Sequence, residues 1–273
     1  MDSAAHIRLL HFTDPHLFAD ESRELYGVRT AATFEATLQR ALGDAGVRPD
    51  ALLFTGDIAD DGEAATYERF RSILSRLGLP VLCAPGNHED VPVMSRVFNG
   101  GALRHCGSHR FANWRIVLLD SHVPGEDWGR LGDSELDRLD EELAAARDEH
   151  VLVGLHHQPV PVGSPWLDGF GLRDAAEMAR VIARHGNVRG ILFGHVHQAS
   201  DRVVDGVRML STPSTCAQFT PRTESCVMDL RPPGYRWLQL SHSGGIGTGV
   251  VWLEELKQVE RPPDSRQAQA SVR

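Results

Sequence analysis

The stretch Ala51-Leu52-Leu53-Phe54-Thr55-Gly56-Asp57 constrains the fold more than any other part of this chain. Four consecutive apolar residues read as a buried strand, and Thr-Gly stops it at a tight turn. Gly56 has no side chain, so backbone and ligands can crowd close to the carboxylate that follows. Asp57 then leaves the C-terminal end of the strand, the place where open α/β sheets bind ligands. Alone, such an aspartate reads first as a cap for the next helix. The company it keeps along the chain decides the matter.

The same grammar recurs. Ile7 to Thr13 is a strand ended by Asp14-Pro15-His16, because proline cannot continue a central ladder. Thr30 to Ala45 places Phe34, Leu38, Ala41 and Leu42 at helical spacing, and Glu63 to Leu77 does the same with Tyr67, Phe70, Ile73, Leu74 and Leu77 before Gly78. Pro80 to Ala84 is a further strand, followed by Pro85-Gly86-Asn87-His88-Glu89. Strands alternating with amphipathic helices predict a parallel sheet with helices outside it. After an irregular middle, Arg115 to Leu119 reads as a strand ending at Asp120, and Asp133 to Arg147 as a helix. Val151 to Leu155 runs into His156-His157, Arg173 to His185 is helical, and Val188 to Phe193 ends at Gly194-His195-Val196-His197. The Pro/Gly-rich loop Val160–Gly171 reads as a cover over a site. From Arg202 the pattern changes: Arg202 to Leu210, Ser225 to Leu230, Tyr235 to Leu240 and Gly249 to Leu253 read as strands without helices between them. Asp205-Gly206 is a hairpin signal, and these strands are expected to form an antiparallel second sheet. Residues 1–260 are expected to be a single domain and residues 261–273, with Pro262-Pro263, a disordered tail.

Composition narrows the function. With 273 residues and 41% hydrophobic content, the chain suits one α/β domain, a class that often runs to roughly 250 residues unsplit. A net charge of −9 argues against a nucleic-acid partner. It allows a small anionic substrate, since bound metals reverse the sign locally. Cys83, Cys106, Cys216 and Cys226 lack metal-ligand spacing. The N-terminus lacks the basic and apolar regions of a signal peptide, and no apolar run reaches the roughly 20 residues of a membrane helix. A cytoplasmic protein without a membrane partner is the expectation.

No single motif carries the chemistry. With 14 histidines in 273 positions, His-x-His is expected about 0.7 times by chance. Asp-x-His occurs at Asp14/His16, Asp120/His122 and Asp148/His150. The last reads as solvated surface before a strand, whereas Asp120/His122 follows a strand and stays open. The weight lies in the series Asp14-x-His16, Gly56-Asp57, Gly86-Asn87-His88, His156 and Gly194-His195-x-His197, each after a predicted strand. Leaving His88 aside, seven such ligands are too many for one ion and suit two ions sharing a carboxylate. Their nitrogen and oxygen mix suits Zn, Fe or Mn rather than Ca or Mg.

This series resembles the calcineurin-like metallophosphoesterase family over nearly the whole chain: Asp14-Pro-His16, Gly56-Asp57-Ile-Ala-Asp60, Gly86-Asn87-His88-Glu89, His156 and Gly194-His195-Val-His197, in that order. More narrowly it is similar to the bacterial class III cyclic-AMP phosphodiesterases, on Thr13–Phe18, Leu155–Val160, Trp166–Asp168 with Leu172-Arg173, and Thr212–Phe219. The resemblance implies a four-layer αββα sandwich of two mixed β-sheets flanked by helices. It implies that a first divalent ion takes Asp14, His16, Asp57 and His197 and a second takes Asp57, Asn87, His156 and His195, Asp57 bridging. Of the adjacent pair His156-His157, the family pattern selects His156; His122 has no counterpart, and Asp60 orients the loop. His88 faces substrate as the general acid for a leaving alkoxide, and His16, Asp57, Asn87 and His197 border substrate with it. Two dications against Asp14, Asp57 and a hydroxide leave about one positive charge, enough to draw a phosphodiester monoanion into an acidic protein. The implied reaction is hydrolysis of a 3′,5′-cyclic nucleotide to the 5′-monophosphate. A broader phosphodiesterase or phosphatase is the alternative, and a non-enzymatic scaffold is disfavoured because every ligand is present. The Pro213–Phe219 stretch and the loop from Val160 are the expected substrate walls. Expected partners are thus a small cyclic nucleotide or phosphodiester, with a homodimer left open.

Overall fold

The computed structural model describes residues 6–44, 48–98 and 100–253; the expected tail lies outside them. β1 (Ile7–Phe12) leads through a hairpin of β2 (Glu24–Leu25) and β3 (Val28–Arg29) into α1 (Thr30–Asp44). β4 (Ala51–Thr55), α2 (Ala64–Ser75), β5 (Val81–Ala84), α3 (Val91–Val97) and β6 (Leu103–His105) follow. The middle runs β7 (Gly107–Phe111), β8 (Trp114–Leu118), α4 (Gly132–Ala145), β9 (His150–Leu155), α5 (Pro165–Asp168), α6 (Ala175–Ala183) and β10 (Val188–Phe193). β11 (Ser200–Val204), β12 (Val207–Ser211), β13 (Gln218–Phe219), β14 (Met228–Asp229), β15 (Gly234–Leu240) and β16 (Ile246–Trp252) complete it.

The strands form two six-stranded sheets, ordered β16-β15-β1-β4-β5-β6 and β11-β12-β10-β9-β8-β7. In the first, β1, β4, β5 and β6 are parallel, with β15 antiparallel to β1 and β16 antiparallel to β15 at the edge. In the second, β12, β10, β9 and β8 are parallel, with antiparallel β11 and β7 at the edges. Side chains alternate across each strand. Leu9, Leu53 and Leu82 of the first sheet therefore meet Ile116, Leu118, Leu152 and Leu192 of the second in a shared core. Their neighbours Phe12, Phe54 and Cys83 face outward onto a cluster with Phe34 of α1, Phe70 of α2 and Met94 of α3. Val117, Val153 and Phe193 do likewise with Leu139 of α4 and Met178 of α6. The result is the four-layer αββα sandwich. A strand covered on both faces needs apolar residues at every position, which is why Ala51–Phe54 runs without alternation.

One expectation is corrected. The C-terminal strands do not make an antiparallel sheet of their own: β12 lies parallel to β10, while β15 lies antiparallel to β1, pairing Leu238 with Leu9. β1 and β10 each offer an unpaired side that an added hairpin satisfies. Local patterning carries no information about which side a hairpin will choose. Ser225–Leu230 is strand only at Met228–Asp229, and α3, β6 and β7, short elements of the irregular middle, were not anticipated. The Asp205-Gly206 turn is as expected, with φ of 50° and 81° between β11 and β12.

The parallel strands of both sheets deliver their C-terminal ends to one edge. Toward that edge the space between the sheets turns polar. His11 Nε2 lies 2.8 Å from Thr55 Oγ1 and its Nδ1 2.6 Å from Thr212 Oγ1. Burial, helped by the Arg236 charge, pushes His11 down to about 3, so this ring is a neutral strut. Among the described residues, no helix is long and apolar enough to cross a membrane.

Candidate metal centre

Asp14, His16, Asp57, Asn87, His88, His156, His195 and His197 meet at that edge, each from the loop after a parallel strand. Five of them, Asp14, His16, Asp57, His195 and His197, hold positive φ between 47° and 66°. Such backbone is costly for residues other than glycine and persists only where the surroundings over-determine it. The motif glycines permit the crowding: a Cβ at Gly86 would collide with Asp57 Oδ1, and one at Gly194 with Thr13 Oγ1.

The hydrogen bonds fix which ring nitrogens carry lone pairs. His197 Nδ1 meets the Ala217 carbonyl at 2.7 Å, His156 Nδ1 meets the Thr55 carbonyl at 2.7 Å, and His16 Nδ1 meets Asp60 Oδ1 at 3.0 Å. These oxygens accept only, so each Nδ1 donates and, in the neutral ring, each Nε2 is a bare acceptor. Yet the Nε2 atoms of His16 and His197 face each other at 3.2 Å, with Asp14 Oδ1 3.4 Å from His197 Nε2 and Asp57 Oδ2 3.7 Å from His16 Nε2. On the other side, His156 Nε2 is met by Asn87 Oδ1 at 3.0 Å, His195 Nδ1 at 3.2 Å and Asp57 Oδ2 at 3.3 Å. Acceptors converging on acceptors, almost all of them buried, fit two cations, with Asp57 Oδ2 facing both clusters. Outer partners on the Nδ1 atoms are what metal-bound histidines generally have.

Electrostatics in the metal-free protein reports the same crowding. Burial pushes the Asp57 carboxyl up, but the His156, His88 and His16 imidazoles outweigh it and hold it well below the carboxylate range. Burial pushes His156 down, and the Asp57 charge and hydrogen bond more than reverse this, to about 9. At neutral pH a proton thus occupies ground a cation would take, and metal loading must expel it.

The neighbours of the centre divide into support and rim. Glu89, quoted in the motif without a role, is 5% exposed. Its carboxylate accepts the backbone N–H groups of Asp57, Ile58, Ala59 and Gly86 at 2.5–3.1 Å. It therefore pins the Asp57 loop to the Asn87 loop; in sequence, an acid after Asn-His looks like any solvated carboxylate. His157 turns away from the carboxylates: its Nδ1 lies 2.8 Å from Ser121 Oγ, and its Nε2 is buried without a partner. A nitrogen of His157 still lies within 4.8 Å of His156 and His195. Asp120 Oδ1 accepts the His122 N–H at 2.9 Å, so that pair is an Asx turn whose middle residue, Ser121, holds His157. His150 sits at the opposite end of β9 from His156, and Asp148 is exposed against Arg147. At the rim, His88 has a 39% exposed side chain and Nδ1 3.1 Å from Asp60 Oδ1. The expected cover, Val160–Gly171, folds around α5, with Asp168 accepting the Val162 and Gly163 N–H groups.

Comparison with known proteins places this arrangement. The calcineurin-like phosphoesterase profile matches residues 7–199. The chain is 37% identical, over 92% of its own length and 92% of the other, to the 3′,5′-cyclic adenosine monophosphate phosphodiesterase CpdA of Pseudomonas aeruginosa. It is 39% identical, over 90% of each chain, to the protein of the same name from Vibrio vulnificus. A solved dimetal phosphatase from Danio rerio superposes with a TM-score of 0.60 at 16% identity, covering 90% of this chain and 98% of that one, a likeness of fold.

Proposed function

The chain belongs to the calcineurin-like phosphoesterase family, and from that premise we propose that it hydrolyses 3′,5′-cyclic AMP to 5′-AMP at a two-ion centre. The observation that carries the hydrolytic centre is the pair of acceptor clusters joined at Asp57 Oδ2. Asp14, His16, Asp57 and His197 hold one ion, and Asp57, Asn87, His156 and His195 the other, drawn from Fe, Mn or Zn. When bound, such ions bring the pKa of a water toward neutrality and draw charge from the phosphoryl oxygens.

The chain's own groups do the rest. Asp57 sets the spacing of the two positions, and Glu89 sets the spacing of their loops. His88 commits Nδ1 to Asp60, leaving Nε2 for substrate. Burial lowers its proton affinity, but the Asp57 charge and the Asp60 hydrogen bond raise it to about 10 in the metal-free protein. Bound cations would offset part of that rise. As the oxygen of a hydroxide bonds to phosphorus and the P–O3′ bond breaks, His88 would give its proton to O3′ and be left as a neutral imidazole. Cyclic AMP is the substrate named for the Pseudomonas and Vibrio relatives. Four free thiols suit the reducing cytoplasm as the setting.

The test uses metal-replete His88→Ala protein. With cyclic AMP, whose ribose oxygen is a poor leaving group, turnover should fall roughly 10²–10⁴-fold. With a diester bearing an activated aryl leaving group the loss should shrink. Equal losses on both substrates would remove His88 from the acid role. A phosphate monoester turned over far faster by wild-type enzyme than every diester would overturn the phosphodiesterase reading.

A further inference from the structure

The β2–β3 hairpin approaches the centre from a side that none of the motifs covers. Leu25 pairs with Val28, and Tyr26-Gly27 makes the turn with φ of 52° and 73°. Two successive positive φ values define a type I′ turn, whose first position favours Asn, Asp or Gly. A tyrosine there is an outlier held at a cost in free energy, and such outliers cluster at ligand sites. Tyr26 is 42% exposed as a residue, so part of it stays open to solvent at the hairpin tip.

Its surroundings connect it to the ions' ligands. The Tyr26 ring meets Phe219 edge to face, centroids 5.9 Å apart at 79°. Phe219, 6% exposed, lies flat on the His197 ring at 4.4 Å and 18°. Trp166, from the loop after β9, also meets Phe219 edge to face, at 5.1 Å and 77°. A ladder of rings thus runs from the His197 imidazole through Phe219 to Tyr26 at the hairpin tip, joining both expected substrate walls to the hairpin. Burial, the neighbouring thiols of Cys226 and Cys216, and the carboxylates of Asp60 and Asp57 push the phenol up to about 12. The ring therefore stays neutral and keeps its O–H as a donor beside the centre.

We propose that Tyr26 is the residue on which the nucleobase of the substrate stacks, with Phe219 as its backing, making the hairpin tip a specificity determinant. This rests on the cyclic-nucleotide reading above. In a cyclic nucleotide a flat apolar plate is joined to the phosphate by one ribose. With the phosphate at the ions the base must rest toward the rim, where the partly exposed Tyr26 stands one ring beyond His197's partner Phe219. Stacking on an aromatic side chain tolerates any base. Tyr26 therefore selects nucleotides over small aliphatic diesters and discriminates weakly between cyclic AMP and cyclic GMP.

The experiment compares metal-loaded wild type with Tyr26→Asn and Tyr26→Phe. Asn-Gly is a favoured type I′ pair, so Tyr26→Asn removes the ring while keeping the hairpin, and thermal melting verifies that the fold is intact. Steady-state rates with cyclic AMP are measured beside the inhibition constants of 5′-AMP and of ribose 5-phosphate, which lacks the base. Tyr26→Asn should raise KM for cyclic AMP on the order of 10-fold, with a much smaller change in kcat. The preference for 5′-AMP over ribose 5-phosphate should collapse by a similar factor, and Tyr26→Phe should retain both. If cyclic AMP is turned over and the base preference survives in Tyr26→Asn, the stacking role is wrong and the phosphodiesterase reading stands. If cyclic AMP is inert while 5′-AMP binds with a Tyr26-dependent base preference, the substrate reading fails and the stacking role stands. A wild type with no base preference overturns the stacking role outright.

Discussion

His156 and His157 are neighbours on one loop, both fully buried, and they face two different regions. In front of His156 lie the Thr55 carbonyl, Asp57 and Asn87; behind His157 lie Ser121 and Gly129, where a Cβ would collide with the His157 ring. Burial alone pushes both rings toward neutrality. The Asp57 charge reverses this for His156, raising it to about 9, whereas the His195 and His156 rings drive His157 still further down. Equal burial therefore gives opposite proton affinities, and the placement of one carboxylate accounts for the difference. Successive side chains at a strand end leave on opposite faces, so adjacency in sequence places the two rings in different chemistry.

The largest expected effect comes from removing that carboxylate. On the proposed bridging role, Asp57→Asn should weaken both ion positions at once, abolish activity and lose at least the second ion, as read by metal analysis of the purified protein. In the metal-free wild type, His156 sits above its ordinary 6.5, so its protonation stabilises the fold fully below pH 6.5 and this contribution is lost as pH rises through about 9. Asp57→Asn should lack that pH dependence, making His156 resemble His157. Two tightly held ions and a normal rate in Asp57→Asn would refute the bridging role.

Next in size is the pair of single changes. His156→Ala should lose the second ion. His157→Ala should keep both ions near wild-type stoichiometry and lose stability instead, about 2–5 kcal/mol for emptying a buried ring site. Equal metal loss in the two variants, or the reverse order, would show that the two regions are not distinct.

The sequence carried much of this contrast, and its limits have physical causes. Strands buried on both faces announce themselves as unbroken apolar runs, and each ligand follows one, so β1, β4, β5, β9 and β10 and their loops were legible. The destination of the C-terminal hairpins was not, because pairing partners of an edge strand are set by the whole sheet. Asp120-Ser121-His122 looked like a second Asp-x-His pair, but its local Asx turn spends the aspartate on the His122 N–H and turns Ser121 to His157. Glu89 and Tyr26 were invisible for opposite reasons. The carboxylate of Glu89 acts only on backbone amides brought together by folding, and Tyr26 sits in a two-residue turn whose residue types signal nothing.

Glu89 tests whether the front region depends on its outer support. Glu89→Gln replaces one of two acceptor oxygens by a donor that faces backbone N–H groups, loosening the Asp57 and Asn87 loops together. Loss of such an outer partner typically costs 10–100-fold in metal affinity. The second position draws on both loops, so competition with a chelator should release its ion first. Unchanged release of both ions would make Glu89 a support of the fold alone.

Ser121→Ala is the smallest change and acts only behind His157. In wild type, Ser121 Oγ lies 2.8 Å from His157 Nδ1 and 3.4 Å from the His157 backbone N. The ring is neutral, because burial and the adjacent imidazoles push its proton affinity well down. Removing the hydroxyl leaves Nδ1 without a partner beside the backbone of Gly129, against which the ring is packed. An unsatisfied buried polar group costs about 1–3 kcal/mol, which urea unfolding of the metal-free protein would register. Metal stoichiometry and turnover should stay at wild-type values, since the side-chain hydrogen bonds of Ser121 among the described residues go to His157. A fall in second-ion occupancy would instead mean that His157 passes its orientation to His195, whose ring lies 4.8 Å away. The back region would then belong to the metal centre after all.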